Sequence, residues 1–276
     1  VNDPIKHHPA LKWRSGGPLD HTEALAVEEP LEIRLAGRRF TLTMRTPGHD
    51  EELVAGFLLA EGFIDSWREL SAIRPVRDRK GRAEPNALDV ILAVPAATLK
   101  DRLKRNFAIS SSCGVCGKTS IEALERRIAP LDDHLCVSAR VILQLPSLMR
   151  SAQAVFSVTG GLHAAALFQA PHEPDGEPQL TILREDIGRH NAVDKNLGYA
   201  LAHGLVPLHD SIMMVSGRLS FEIVQKAAAA GIPLLCAVSA PSSLAVDLAE
   251  EIGMTLAGFL RDGSFNLYTH HARIIG

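Results

Sequence analysis

Two cysteines, Cys113 and Cys116, stand two residues apart in "ISSSCGVCGKTS", and each is followed by glycine. That spacing serves three chemistries: a metal site, a redox disulfide, or a carrier of sulfane sulfur. Structural zinc needs about four ligands, usually with a second close Cys/His pair. Cys136 and Cys236 instead stand alone in "HLCVSARVIL" and "PLLCAVSA", where free cysteine packs as a small hydrophobe. A deaminase-type zinc site needs an H-x-E helix with P-C-x-x-C, the glutamate moving protons. Two residues after His163 stands Ala165, and Ser112 precedes Cys113, so that carboxylate is missing. A thioredoxin-like pair opens a helix directly after a strand. The helix start fits, but the serines and glycines read as a flexible loop. A sulfur carrier uses every feature. A thiolate attacks the outer sulfur of a donor persulfide, at a rate set by thiolate fraction and access. The dipole of the following helix and Lys118 favour the thiolate relative to the ~8.5 of a free thiol. Small neighbours let the thiol reach two partners in turn.

Elsewhere the chemistry-bearing residues gather at strand ends. "REDIGRHNAVDK" sets Arg184, Arg189, His190 and Lys195 around a strand-to-helix junction, and a helix N-terminus with cations nearby can hold an anion. The competing reading is a salt-bridged junction, because Glu185, Asp186 and Asp194 share the segment. "SGRLS" offers a Ser216–Gly217 turn, Arg218 and a Ser220 cap, for which capping and binding are equally good readings. His163 reads as a packed, hydrogen-bonded histidine. The terminal pairs in "KHHPAL" and "HHARIIG" read as solvated tails.

The elements that position these residues follow from periodicity. Leu31 to Met44 alternates as a hairpin about "AGRR". "EELVAGFLLAEGF" is helical, with Asp50 as its cap and Gly62 near its end. "ALDVILAV" is a strand, and "AATLKDRLKRN" and "TSIEALERRI" are helices. "SLMRSAQAVF" and "GLHAAALFQ" read as further helices. From Gln179 onward, strands and helices alternate through "QLTILRED", "DSIMMVSG" and "IPLLCAVS", with "MTLAGFL" and "FNLYT" last. Near-continuous apolar strands between helices predict an α/β fold with a largely parallel sheet covered on both faces. Ligands in such sheets bind at the strand carboxyl ends. The expected division is an N-terminal α+β domain over 1–106, a cysteine loop and linker helix over 107–138, and an α/β domain over 139–276.

Composition narrows the class. The 276 residues are 46% hydrophobic with a formal net charge of −3, which gives no global attraction to nucleic acid or membrane. At 5% aromatic, base-stacking platforms are not expected. No run is long enough to span a membrane, the N-terminus lacks a signal-peptide core, and four cysteines are too few for a disulfide scaffold. A reducing cytoplasm is the expected compartment.

The segments "SSCGVCGK", "TGGLHAAAL", "REDIGRHNAVDK" and "SGRLSFEIVQKA", in that order, closely resemble the formate dehydrogenase accessory sulfurtransferase family, FdhD. The resemblance runs from about Pro30 to the "YTH" near the end. It implies a cytoplasmic homodimer with a cytidine-deaminase-like three-layer core. Such a protein takes sulfur from a cysteine desulfurase and passes it to Mo-bis(molybdopterin guanine dinucleotide), cargo bound for formate dehydrogenase. By the same resemblance Cys113 is the persulfide carrier and Cys116 an assisting thiol. The family's cofactor-binding segment matches Phe259, Leu260, Arg261, Asp262, Gly263 and Ser264. That segment also looks suitable as a strand end and turn with Arg261 to meet a phosphate, although Asp262 weakens the argument. Arg189, His190, Ser216 and Arg218 complete the expected cofactor site, with no resident metal. Two other classes remain: a chaperone that carries the cofactor without moving sulfur, and a zinc hydrolase on a deaminase-like core.

Overall fold

The computed structural model describes residues 3–94, 130–131 and 134–276. Cys113, Cys116 and the two helices expected around them lie outside the described residues.

The chain opens with a hairpin where a solvated tail was expected: β1 (Ile5–Arg14) pairs antiparallel with β2 (Gly17–Ala26) as a separate two-stranded ribbon. A four-stranded sheet follows, ordered β4 (Arg38–Arg45), β3 (Glu29–Leu35), β6 (Ala83–Leu92), β5 (Leu70–Arg77). Ala36 and Gly37, both at positive φ, make the tight turn between β3 and β4 that twisted hairpins favour. Helix α1 (Asp50–Ala60) is entered through His49 in the left-handed region. Asp50 is therefore its first residue and not its cap, and its carboxylate accepts two bonds from Arg45, at 2.9 Å each.

The larger sheet has six strands, in the order β13 (Ser264–Thr269), β12 (Thr255–Arg261), β11 (Leu234–Ala237), β10 (Ser211–Val215), β8 (His163–Gln169), β9 (Gln179–Asp186). β10, β11 and β12 pair in parallel; β8 and β13 run opposite to them, and the edge strand β9, antiparallel to β8, runs in their direction. The fold is α/β with a mixed sheet, not a largely parallel one. "HAAALFQ" is β8, a strand where the alanines suggested a helix. Alanine favours helix in isolation, yet here small side chains fit a central strand buried on both faces. Asn196 reaches down to donate to Ala165 O at 2.9 Å.

Helices cover both faces. Helix α2 (Ala139–Ala152) packs with Val141, Ile142 and Leu145 against Phe168, Ile212, Met214, Cys236 and Leu260. Helices α4 (Arg189–Ala202), α5 (Phe221–Ala229) and α6 (Ser243–Ile252) cover the other face, where Val193 and Leu197 meet Met213, Val215 and Leu235. The alternation of β10 thus feeds two cores, as a strand buried on both sides requires. The second core also holds Leu31, Ile33, Leu53 and Leu58, so the N-terminal sheet shares it. The lock is the α1–α4 crossing: a Cβ on Gly56 would lie 1.8 Å from Asp194 O, and one on Gly198 1.8 Å from Glu52 O. Only glycine at both positions lets the two backbones touch. The C-terminus is tied down as well: β14 (Ile274–Ile275) pairs with β7 (Val137–Ser138), and Arg273 is buried, so "HHARIIG" is not a free tail.

Candidate functional site

The strand carboxyl ends open into a cavity of about 650 Å³, within the usual range of small-ligand sites. Ser216 follows β10, Val238 follows β11, and Leu260, Arg261 and Asp262 stand at the β12–β13 corner; all five line it. The rest of the lining is Met149 and Arg150 of α2, Gln153 at its end, Phe156 of the short helix α3 (Ala154–Thr159), and the turn from Gly160 to His163. Glu185 fixes α3 by accepting from Val155 N at 2.9 Å and Phe156 N at 2.7 Å. Arg150 lies 4.8 Å from the centroid of the Phe156 ring, giving the wall a flat, cationic surface.

The β12–β13 corner is a strained hairpin. Asp262 and Gly263 are both at positive φ, the Asp-Gly pattern of a tight primed turn. Phe259 is also at φ +54, unusual for a bulky residue, and the ladder shifts register between Gly258 and Arg261. The irregularity turns Leu260 inward, 1% exposed, and leaves Arg261 outside with its guanidinium 5.7 Å from the Phe259 ring centroid. Ser264 Oγ donates to Arg261 O at 3.2 Å. Leu260, Arg261 and Asp262 therefore face the cavity, while Phe259, Gly263 and Ser264 build the corner.

At the other end, Ser216 extends the β8 pairing: its N–H donates to Ala164 O and its Oγ accepts from Ala164 N, each at 2.9 Å. Gly217 is buried beside it. A Cβ there would lie 3.5 Å from both Arg189 Cδ and His163 Nδ1, so Gly217, Arg189 and His163 form one packed cluster. Burial and the adjacent Arg189 and His190 charges lower the His163 pKa, with Asp186 opposing, which favours the neutral imidazole. Arg189 Nε is buried without a protein partner. Arg218 points to solvent beyond this cluster.

The junction cations divide. Arg184 forks onto Glu52 at 2.6 and 2.8 Å. Burial opposes that carboxylate's charge, yet Arg184 and His49 outweigh it and hold the Glu52 pKa at about 2. Lys195 binds Asp186 at 2.7 Å, both fully buried. Through Glu52 and the Thr46 carbonyl both cations tie the N-terminal segment to the body, while Arg189 packs against Gly217. His190 goes elsewhere. It lines a second cleft of about 320 Å³ between β4, α1, α4 and α5, with Nε2 2.9 Å from Glu222 Oε2 and 3.4 Å from Ser220 Oγ. At that cleft's floor Lys226 binds Asp194 at 2.7 Å. Ser220 starts α5 without a side-chain cap bond, so the expected serine cap is not made.

The sequence reading missed Arg150, Gln153 and Phe156, which lie far from the junctions in the chain. It also gave His163 a packing role alone; the adjacent "TGG" was the available signal of a close approach. The lining combines positive charge from Arg150 and Arg261 with apolar contact from Phe156, Met149 and Leu260, and Arg189 stands behind it, packed against Gly217. Among the described residues no three His, Cys, Asp or Glu side chains cluster as metal ligands, and no helix is long and apolar enough to cross a membrane.

Comparison with known proteins gives a consistent answer. A solved structure from Desulfotalea psychrophila, described as a formate dehydrogenase accessory protein, superposes with a TM-score of 0.73 at 26% identity, covering 99% of this chain and 100% of that one. A sulfur carrier protein FdhD from Mycolicibacterium paratuberculosis is 50% identical over 94% of this chain and 95% of its own. Its namesake from Sulfurisphaera tokodaii is 44% identical over 98% and 99%. The family model for FdhD/NarQ matches residues 26–275. The chain belongs to the FdhD/NarQ family.

Proposed function

We propose that this protein is a cytoplasmic sulfurtransferase that works through a persulfide on Cys113 and serves formate dehydrogenase. The observation that carries the reading is near full-length similarity to relatives named sulfur carrier proteins. Cys236 is fully buried, and burial pushes its thiol up to about 12, so it is a poor nucleophile.

The Cys113 thiolate attacks the outer sulfur of a cysteine desulfurase persulfide. The donor S–S bond breaks, the donor leaves as thiolate, and a new S–S bond forms on Cys113 with no net redox change. The cargo is Mo-bis(molybdopterin guanine dinucleotide), a substrate held through its nucleotide ends. Arg261 and Arg189 meet phosphate charge, and the Arg150–Phe156 wall meets a ring. Delivery of the sulfur as a sulfido ligand needs two electrons; a reduced metal in the cargo supplies them, and Cys113 departs as thiolate. Cys116 assists by receiving or releasing the proton and by resolving stalled persulfide. A cytidine-deaminase-like ancestry of the mixed sheet and a two-fold assembly matched to a two-armed cargo belong to the same reading.

The test is incubation with a cysteine desulfurase and sulfur-labelled cysteine. Reducible label on Cys113 supports a carrier, whereas a cofactor chaperone takes up none. Isothermal titration with guanosine diphosphate tests the cavity: Arg261→Ala should weaken binding at least tenfold, about 1.4 kcal/mol, and unchanged affinity would remove Arg261 from the cargo site.

A further inference from the structure

We propose that the second cleft and the free edge of β4 together dock an extended segment of another protein, which adds a strand to the N-terminal sheet and lowers one basic side chain into the cleft. Among the described residues β4 stands last in its sheet, with β3 on one side and no strand on the other. Its charges sit at its two ends, at Arg38, Arg39 and Arg45, and it carries no proline. Between them Leu42 is 60% exposed and Met44 46%. Edge strands are ordinarily shortened, charged or covered, and strand addition to an open edge is a common mode of peptide recognition.

The register tells which backbone groups the edge offers. Antiparallel partners alternate between pairs that exchange both hydrogen bonds and pairs that exchange none. Met44 lies opposite Pro30, which has no N–H to give, and Leu42 lies opposite Glu32, two residues along. Both therefore turn their N–H and C=O away from β3. Asn191 Nδ2 donates to the Met44 carbonyl at 2.7 Å, in agreement with that direction. The Leu42 N–H and C=O and the Met44 N–H remain for an incoming strand.

The cleft runs along this edge. All four residues from Thr41 to Met44 line it, and neighbours on a strand point to opposite faces, so the cleft meets the strand edge-on. Its volume of about 320 Å³ is at the small end of ligand sites and suits one long side chain. The walls select that side chain's charge. Asp194 takes Lys226 at 2.7 and 3.0 Å, and Glu222 takes His190. Glu61 has only a distant contact, 4.0 Å from the Lys226 ammonium that Asp194 already holds. Three carboxylates thus face one ammonium and one imidazole, which attracts a guanidinium or ammonium and repels a carboxylate. Leu53 and Phe57 offer apolar contact to the stem of such a side chain, as lysine and arginine stems require. The cleft shares no lining residue with the 650 Å³ cavity, so the inference stands apart from the proposed function.

The probe is the blocked peptide acetyl-TVTRVTV-amide, with acetyl-TVTEVTV-amide as its charge-reversed counterpart, each titrated into the full chain by calorimetry and amide NMR. The arginine peptide should bind and protect the Leu42 and Met44 amides from hydrogen exchange. The glutamate peptide should bind at least about tenfold more weakly, and Glu61→Gln should weaken the arginine peptide about fivefold. Two further arginine peptides, N-methylated on alternate residues in opposite phase, do not depend on how a variant folds: only the phase whose amides face β4 should lose binding. No binding of the arginine peptide, equal binding of both charges, unchanged affinity in Glu61→Gln, or equal effects of the two methylation phases would overturn the proposal. Butylammonium that matches the peptide's affinity would overturn it in favour of a small-amine site. Protection of the same amides by raised protein concentration alone would overturn it in favour of a contact between copies.

Discussion

Lys195→Met is the sharpest test of how the junction is held. Asp186 is 0% exposed and Lys195 1%, with Nζ 2.7 Å from Oδ2. Asp186 also accepts from Thr46 N at 3.1 Å, Gly188 N at 2.8 Å and Asn191 Nδ2 at 3.0 Å, and Lys195 donates to Thr46 O at 2.9 Å. Removing the ammonium leaves a buried carboxylate with three neutral donors. Breaking a buried pair costs about 3–5 kcal/mol; the three remaining donors place this case near the lower end, about 3 kcal/mol. That is a large part of the ~5–15 kcal/mol of a whole domain. The assay is urea unfolding with an unchanged slope, in a cycle with Asp186→Asn. The double variant should recover at least ~1 kcal/mol of the summed single losses, since contacting groups couple. A Lys195→Met loss below ~1 kcal/mol with no coupling would refute the claim that this pair helps fasten the turn between β9 and α4.

Further outcomes follow from the same geometry. Gly198→Ala should cost ~2 kcal/mol or more, because the new methyl meets Glu52 O; an unchanged melting temperature would show that the helices can part freely. The Glu52 pKa is depressed to about 2, so its contribution is present above ordinary glutamate titration near ~4.5 and is lost as pH falls from there toward 2. Discounted for partial exposure, that contribution is about 1–2 kcal/mol, and Glu52→Gln should flatten the acid limb of the stability curve correspondingly. In NMR titrations His163 should titrate below the ordinary histidine range, and Arg189→Gln should raise its pKa; no upward movement would separate the two residues. Native protein exposed to iodoacetamide should leave Cys236 unlabelled, and labelling it without denaturant would contradict its burial.

What the sequence made legible tracks how local the causing physics is. The β3–β4 hairpin, α1, and the strands and helices from Gln179 onward carried their own periodicity and turn chemistry, and they stand where expected. β8 did not, because its alanines are explained only by the helix lying over them. The reversed direction of β8 and β13 was likewise hidden, since apolar runs report burial and not orientation. In the site, "FLRDGS" and Ser216 reached the cavity because strand ends converge in such sheets. Arg189 and His190 are adjacent in sequence, but a helix N-terminus sends neighbouring side chains to different sides, so Arg189 packs against Gly217 while His190 lines the second cleft. Arg150 and Phe156 were invisible because tertiary packing alone brings α2 and α3 across from the strand ends.

The central claim is sulfur held covalently on one thiol. Intact-mass measurement after treatment with a cysteine desulfurase and cysteine, on wild type, Cys113→Ala and Cys116→Ala, tests it directly. The account predicts a gain of one reducible sulfur on wild type that disappears with Cys113→Ala. An equal gain on Cys113→Ala, or none on wild type, would contradict it.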